Sequence, residues 1–393
     1  MATTFNWIYL GSSTTYLDPT EGNSNMENYN AFNGATAGTA AAPLYQRITS
    51  ATTVDNGGTA DALDTNNNVS NDQIVTDIGN GTETLTYDGL VVYNATLTYV
   101  DGTTANVTAV VVQTTDGKVF LAPELTANAD TTAYEAKPIQ SILLGTAASY
   151  TNTNLAADRF QTGFDDGYID GTSGNDLIDA SYVEPIANGS DKVDNNDAAL
   201  PGSSGNDDYI RAGDGNDTVL AGLGNDTVMA GTGNDSVDGG VGNDSLSGED
   251  GNDTLIGGDG NDVLRGTATG VNLISGGDGN DQVFAGGFES TVMGGAGSDY
   301  VAGGGMVSFL YGGDGSGQDD EADIFGLTNS SFVMDATADD FVTWDGVFRV
   351  TGGVKQWWME SDWAYWSPFS SIAAGLPGTV SSFFSLAGIT ADV

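Results

Sequence analysis

Residues 212–265 read AGDGNDTVL, AGLGNDTVM, AGTGNDSVD, GGVGNDSLS, GEDGNDTLI and GGDGNDVLR, six nine-residue units in unbroken succession. Their sixth positions, Asp217, Asp226, Asp235, Asp244, Asp253 and Asp262, fall nine residues apart, a spacing that chance does not produce. The related stretch GSSGNDDYIR precedes them from Gly202 with Asp207 in the corresponding place, and looser units follow with Asp281 and Asp299. One isolated unit, GTSGNDLID from Gly171 to Asp179, contributes Asp176, and the insertion SYVEPIANGSDKVDNNDAAL separates it from the array. Repetition at a fixed short period specifies a stack of small units, each contacting only its neighbours.

Each position of the unit has a physical reason. The glycines let the backbone take positive φ and make a tight turn with its carbonyls inward, and the Asp adds a hard anionic oxygen. That donor set suits calcium: magnesium demands stricter octahedral geometry and keeps more water, and softer metals want nitrogen or sulfur. Hydrogen-bonded Asx turns without metal would leave Asp carboxylates stacked ~5 Å apart on neighbouring coils, where they repel strongly.

The pattern resembles the calcium-binding GGxGxDxUx repeat of the RTX family over roughly residues 171–325. The resemblance implies a parallel β-roll in which two consecutive units make one coil, alternate units turn on opposite edges, and calcium sits between same-edge neighbours. One edge then carries Asp207, Asp226, Asp244, Asp262, Asp281 and Asp299, and the other Asp217, Asp235 and Asp253. The five gaps on the first edge and two on the second lead to an expectation of about seven internal ions, with Asp176 a separate candidate. Beyond Asp253 the second edge meets the irregular unit GTATGVNLIS and then has Ser290 and Ser308 where Asp is expected, so those half-coils lose the ligand. The eighth positions, Tyr209, Val219, Val228, Val237, Leu246, Leu255, Leu264, Val283, Val292, Val301 and Leu310, are apolar and predict a thin column inside the roll. On the depleted edge Phe288, Met306, Phe309 and Tyr311 are read as replacing turn residues, an apolar strip that calls for a covering domain or partner. The acid-rich loops DDGYIDG at Asp165 and DGSGQDDEAD at Asp314 lack a full spacing pattern.

The 393 residues are enough for two or three domains with separate cores. The expected fold class is all-β: a β-sandwich-like domain over 1–160, a transition over 161–201, the β-roll over 202–325, and an aromatic-rich β cap with a C-terminal secretion signal over 326–393. In the first domain LVVYNATLTYV, the pair Asp101-Gly102, TTANVTAVVVQ, the turn TTDGK and VFLAP read as an antiparallel meander. In the last, Trp344, Trp357, Trp358, Trp363 and Trp366 crowd ahead of the apolar, acid-poor stretch IAAGLPGTVSSFFSLAGITADV. Capping the open end of the roll accounts for these most simply, with a sugar-stacking platform or a subunit interface as the alternatives.

A formal charge of −45 repels nucleic-acid phosphates and anionic lipid, so cations are the expected partner. Zero Cys excludes disulfides and thiolate chemistry, and zero His removes the usual general base and with it any HExxH site. A Gly-x-Ser-x-Gly elbow is also absent from the first 160 residues. The expectation is therefore a non-enzyme with neither catalytic nor further cofactor-binding residues. The N-terminus MATTFNWIYLGS shows no basic segment followed by an apolar run, and no stretch is apolar enough to span a bilayer. The RTX resemblance implies type I secretion to the extracellular medium or cell surface through an uncleaved C-terminal signal. The N-terminal region also looks similar to the leading domain of large alphaproteobacterial exported RTX proteins that can carry a self-splicing Hint module; that module needs His and is absent here. The reading that follows is a calcium-stabilised structural subunit of an extracellular layer, filament or matrix that self-associates. An adhesin binding surface glycans is the alternative, and a polysaccharide-acting enzyme with paired carboxylates comes third.

Overall fold

The computed structural model describes residues 3–17, 28–56, 62–63, 72–124, 126–149, 155–156, 164–185, 191–195, 200, 202–266, 270–286, 289–304, 307–313, 323–327, 331–333, 341–344, 348–351, 354–358, 365–366 and 391–392. Side chains of these residues are described through residue 326, except at 3, 62–63, 155–156 and 307. The chain divides into two compact units, one of residues 1–168, 184–191 and 199–202 and one of residues 169–183, 192–198 and 203–393. Both are β-structures. Among the described residues no helix is long and apolar enough to cross a membrane.

The first unit contains β1 (Thr3–Ser12), β2 (Thr36–Ala37), β3 (Ile48–Val54), β4 (Ala62–Leu63), β5 (Gln73–Asp77), β6 (Thr82–Tyr99), β7 (Thr104–Thr114), β8 (Lys118–Ala122), β9 (Ile139–Ser149) and β10 (Leu155–Ala156), with the short helix α1 (Ala129–Tyr134). Eight strands form one antiparallel sheet in the order β2-β9-β6-β5-β3-β1-β8-β7, and β7 pairs back onto β6, so the long strands leave few open edges. The meander expected from the Asp101-Gly102 and Asp116-Gly117 turns is β6–β7–β8: Gly102 and Gly117 take φ of 81° and 86°, as these tight turns require. Period-two alternation buries one set of side chains, including Trp7, Tyr87 and Phe120, in one cluster and Ile8, Tyr93, Leu97 and Tyr134 in another, a sandwich-like arrangement. Trp7 meets Phe120 edge to face at 6.1 Å.

The second unit is a parallel β-roll. Its strands alternate between a first sheet, running through Ile169–Asp170, Tyr209–Arg211, Thr227–Met229, Ser245–Glu249, Val263–Gly266, Gln282–Phe284, Tyr300–Ala302, Ile324–Leu327 and Phe341–Trp344, and a second sheet that begins at Leu177–Ile178 and Thr218–Leu220. In the regular part a residue pairs with the residue eighteen further on, as in Val219↔Val237 and Val228↔Leu246, so two nonapeptides make one coil. Ile210, Val228, Leu246, Leu264, Val283, Val301 and Phe325 form one buried column, and Val219, Val237, Leu255, Ile274, Val292 and Leu310 the other. Each such side chain withdrawn from water contributes ~1.5–3 kcal/mol, and the two columns together are the core of the unit.

Glycine is required at the fourth position of the unit. Gly242 takes φ +147°, and a Cβ there would lie 1.4 Å from the Gly224 carbonyl oxygen of the preceding coil. The second position is less strict, since Glu249 occupies it with φ 59°.

Two features differ from expectation. Ile210 is the buried residue of its strand, and Tyr209 points outward. The stretch GSSGNDDYIR holds one residue more than a nonapeptide, which moves the frame by one. Phe309 and Tyr311 lie on the strand Val307–Tyr311, not in a turn, while Phe288 and Met306 lie outside the described residues. Toward the C-terminus, Phe348–Thr351, Val354–Trp358, Tyr365–Trp366 and Ala391–Asp392 form a four-stranded antiparallel sheet. The Trp side chains of this segment, and Trp363 altogether, lie outside the described residues, so the capping expectation concerns atoms beyond them.

Candidate metal centre

In the regular turns of the roll a buried aspartate accepts a backbone hydrogen bond from the coil before it. On the first edge the N–H of Asp208 donates to Oδ1 of Asp226 at 2.7 Å, Asp226 to Asp244 at 2.7 Å, Asp244 to Asp262 at 2.7 Å and Asp262 to Asp281 at 2.8 Å. Asp281 donates to Asp299 and Asp299 to Asp323, both at 2.8 Å. On the second edge Asp176 donates to Asp217 at 2.8 Å, Asp217 to Asp235 at 2.8 Å and Asp235 to Asp253 at 3.1 Å. The division of the regular aspartates between edges is the one expected from the repeat.

The other carboxylate oxygen gives the ladder its chemistry. Oδ2 of Asp217, Asp226, Asp235, Asp244, Asp253, Asp262 and Asp281 is buried without a hydrogen-bond partner. A buried carboxylate oxygen with nothing to bond to is costly, and these lie in rows. Burial, reinforced by the negative charge of Asp244, Asp208 and Asp194, pushes the Asp226 carboxyl up to about 8. Burial likewise raises Asp244, Asp253 and Asp281 to about 6, and raises Asp217, Asp235 and Asp262 above their ordinary value. Protons or cations must neutralise such a row.

The donor set fits calcium, which takes six to eight oxygen ligands in flexible geometry. Among the described residues no three acidic side chains converge on one point. Carboxylates from the coils must therefore be supplemented by carbonyl oxygens of the glycine turns, which a hard cation accepts and softer metals do not.

Asp207 and Asp176 differ from the rest. Asp207 does not occupy the ladder position, which Asp208 takes. The Asp207 carboxylate is filled by donors: Oδ1 accepts from Asn225 N–H at 2.7 Å, and Oδ2 from Ser204 N–H at 2.8 Å and its hydroxyl at 3.1 Å. Burial raises its carboxyl, but these bonds outweigh it and leave the group below its ordinary value. Asp176 is in the ladder of the second edge, yet its Oδ2 already accepts from Thr172 N–H at 2.6 Å and the Thr172 hydroxyl at 2.8 Å.

Three residues at the site escaped the repeat frame. Asp208 lies eighteen residues before Asp226, and Asp323 ends the acid-rich stretch of sequence that starts at Asp314. Counting back two residues from the buried Ile210 and Phe325 finds both. Asn272, two before the buried Ile274, holds the same position on the second edge. Asp165, in the other acid-rich loop, accepts from Gly167 N–H at 2.8 Å and forms an ordinary Asx turn.

Exposed asparagines make a second, metal-independent ladder. Asn243 N–H donates to Asn225 Oδ1 and Asn261 N–H to Asn243 Oδ1, both at 2.8 Å, while Asn234 and Asn252 repeat the arrangement on the other edge.

A parallel roll whose turns present rows of buried carboxylates defines a β-roll metal-binding protein. The model of the RTX calcium-binding nonapeptide repeat matches this chain in four copies, over residues 202–237, 238–269, 267–292 and 275–305. The roll of this protein therefore carries RTX calcium-binding nonapeptide repeats, an architecture typical of secreted proteins. The matches lie along the roll and touch the first unit only at Gly202. No curated protein and no solved structure matches the chain.

Proposed function

We propose that this is a secreted protein whose β-roll folds on external calcium and serves as a structural subunit of an extracellular layer, filament or matrix. The observation that carries the calcium part is the row of buried Oδ2 atoms without hydrogen-bond partners. Asp217, Asp226, Asp235, Asp244, Asp253, Asp262, Asp281 and Asp299 are the proposed ligands, joined on the first edge by Asp323, whereas Asp208 Oδ2 already accepts from Asp194 N–H at 2.9 Å. About seven ions is the count expected from the regular spacing. In a low-calcium cytosol the carboxylates repel and the roll stays exportable by a type I apparatus; millimolar calcium outside neutralises them and folding follows.

The structural role is supported by what surrounds the sites. Apolar side chains stand exposed on the outer face of the second sheet, among them Leu177, Leu220, Ile256 and Leu273, a face suited to packing against another copy. Light scattering and electron microscopy through a calcium titration test the reading. Ordered assemblies that form with calcium and dissolve in chelator are expected, and a monomer at every calcium level and high protein concentration would sink it.

A second reading, a glycan-binding adhesin, draws on a shallow groove of about 490 Å³ in the first unit lined by Asn94, Thr96, Asn106, Thr108, Asp130 and Thr146. Its amides, hydroxyls and carboxylate are the groups that bond sugar hydroxyls. A glycan array separates the two: saturable binding lost on Asp130→Ala would favour the adhesin.

A further inference from the structure

The ladder of the second edge does not stop where its aspartates stop. Asp253 N–H donates to Oδ1 of Asn272 at 2.9 Å, and Asn272 is 1% exposed. That bond fixes which way the amide points, because only its oxygen accepts. Nδ2 therefore turns to the place that Oδ2 holds in an aspartate turn. A Cβ on Gly266 would meet Asn272 Nδ2 at 2.6 Å, just as a Cβ on Gly257 would meet Asp262 Oδ2 at 2.3 Å. A buried donor nitrogen without a hydrogen-bond partner stands where the array otherwise presents an anionic oxygen.

One coil further on, Ser290 takes the position and is fully buried. Its hydroxyl donates to the Gly286 carbonyl at 3.0 Å and accepts from Asn272 N–H at 3.3 Å, tying its own turn and the ladder together. Ser308, also fully buried, donates to the Gly304 carbonyl at 2.8 Å and accepts from Gly304 N–H at 3.2 Å. A short neutral hydroxyl here does by hydrogen bonding what a carboxylate does through a cation.

We propose that the second edge changes at Asn272 from cation-closed to hydrogen-bond-closed turns, so that beyond Asp253 it takes no calcium and its last turns hold without it. This rests on the reading of the buried Oδ2 rows as calcium sites. Its consequence is a graded roll: the coils before Asn272 need ions on both edges, and the coils after it need them on the first edge alone.

Asn272→Asp tests this by replacing an NH2 group with an oxygen of nearly the same size. Native mass spectrometry of the full chain in saturating calcium is expected to count about one more ion in the variant than in the wild type. An unchanged count on a wild type that binds ions overturns the proposal and leaves the calcium reading intact, whereas a wild type that binds no ion removes both. Hydrogen exchange on the wild type in chelator supplies a measurement that does not depend on how the variant folds. The amides of Asn272 and Gly304, which bond to Ser hydroxyls, are expected to exchange at least ~10-fold more slowly than those of Asp217 and Asp235, which bond to carboxylates. Equal loss of protection overturns the proposal.

Discussion

At the scale of the residue, each ladder Asp does two jobs through two oxygens, and they can be separated. In Asp244→Asn the retained Oδ1 still accepts from Asp226 N–H while the buried charge disappears. In chelator the variant is expected to be more stable than wild type, by about 1 kcal/mol or more, because an unneutralised buried carboxylate no longer has to be accommodated. In calcium the sign reverses, since a ligand is lost and binding to the folded state contributes ~2.7 kcal/mol per site at one hundred times its Kd. Thermal unfolding in both conditions reads the crossing, and a variant destabilised in both would show that Oδ2 is not the cation-facing atom. Glu249 supplies a second expectation: its φ of 59° is the left-handed region, so Glu249→Gly is expected to stabilise the roll by up to about 1 kcal/mol in the same melts. The nine-residue spacing made the regular aspartates legible, because spacing in sequence maps directly onto position in a solenoid. Asp208 and Asp323 were not legible in that frame: one residue too many in GSSGNDDYIR and the acid-rich sequence from Asp314 break the period, while the buried Ile210 and Phe325 keep the coil register.

At the scale of the element, an edge is a column of coupled charges, which fixes how the roll responds to pH. The carboxyls of Asp217, Asp226, Asp235, Asp244, Asp253, Asp262 and Asp281 have folded-state values raised above the unfolded value of 3.8, to about 8 for Asp226 and about 6 for Asp244, Asp253 and Asp281. For an acid raised on folding, the folded state holds the extra protons, so its contribution to stability is present below about pH 4 and is lost as pH rises through the folded values. In chelator the roll is therefore expected to gain stability on acidification from about pH 8 to about pH 5, opposite to most acidic proteins; calcium should flatten the dependence. Circular dichroism melts across that window check it, and a metal-free roll that loses stability on acidification would show that the row is not buried in solution. The asparagine ladder does not titrate and should hold its bonds in either condition. Its existence was implicit in the Asn-Asp pairs of the repeat, but which neighbour each amide bonds to depends on coil register, which only the eighteen-residue pairing supplies.

At the scale of the whole molecule, the two units have cores of different origin. The first closes an antiparallel sheet around Trp7, Tyr87, Phe120 and their neighbours, a core built from hydrophobic burial. Among the described residues the core of the second is two thin columns of Val, Leu and Ile, with Phe325 at the end of one, flanked by carboxylates that oppose folding until neutralised. This contrast was partly readable from composition, in the change from Thr, Val and Tyr to Gly, Asn and Asp near Gly171; the pairing of β7 back onto β6 was not, because strand order depends on long-range contacts that local patterns do not encode. Calorimetry of the full chain is accordingly expected to resolve two transitions, one that moves upward by several degrees for each tenfold rise in calcium and one that stays fixed. Trp7 is one of only six tryptophans and belongs to the first unit, so its buried amide environment should survive chelation while the roll amides exchange. A single transition that shifts as a whole with calcium would mean that the first unit cannot stand without the roll. Two transitions would mean that export leaves one unit to fold by its own core and the other to wait for the ion.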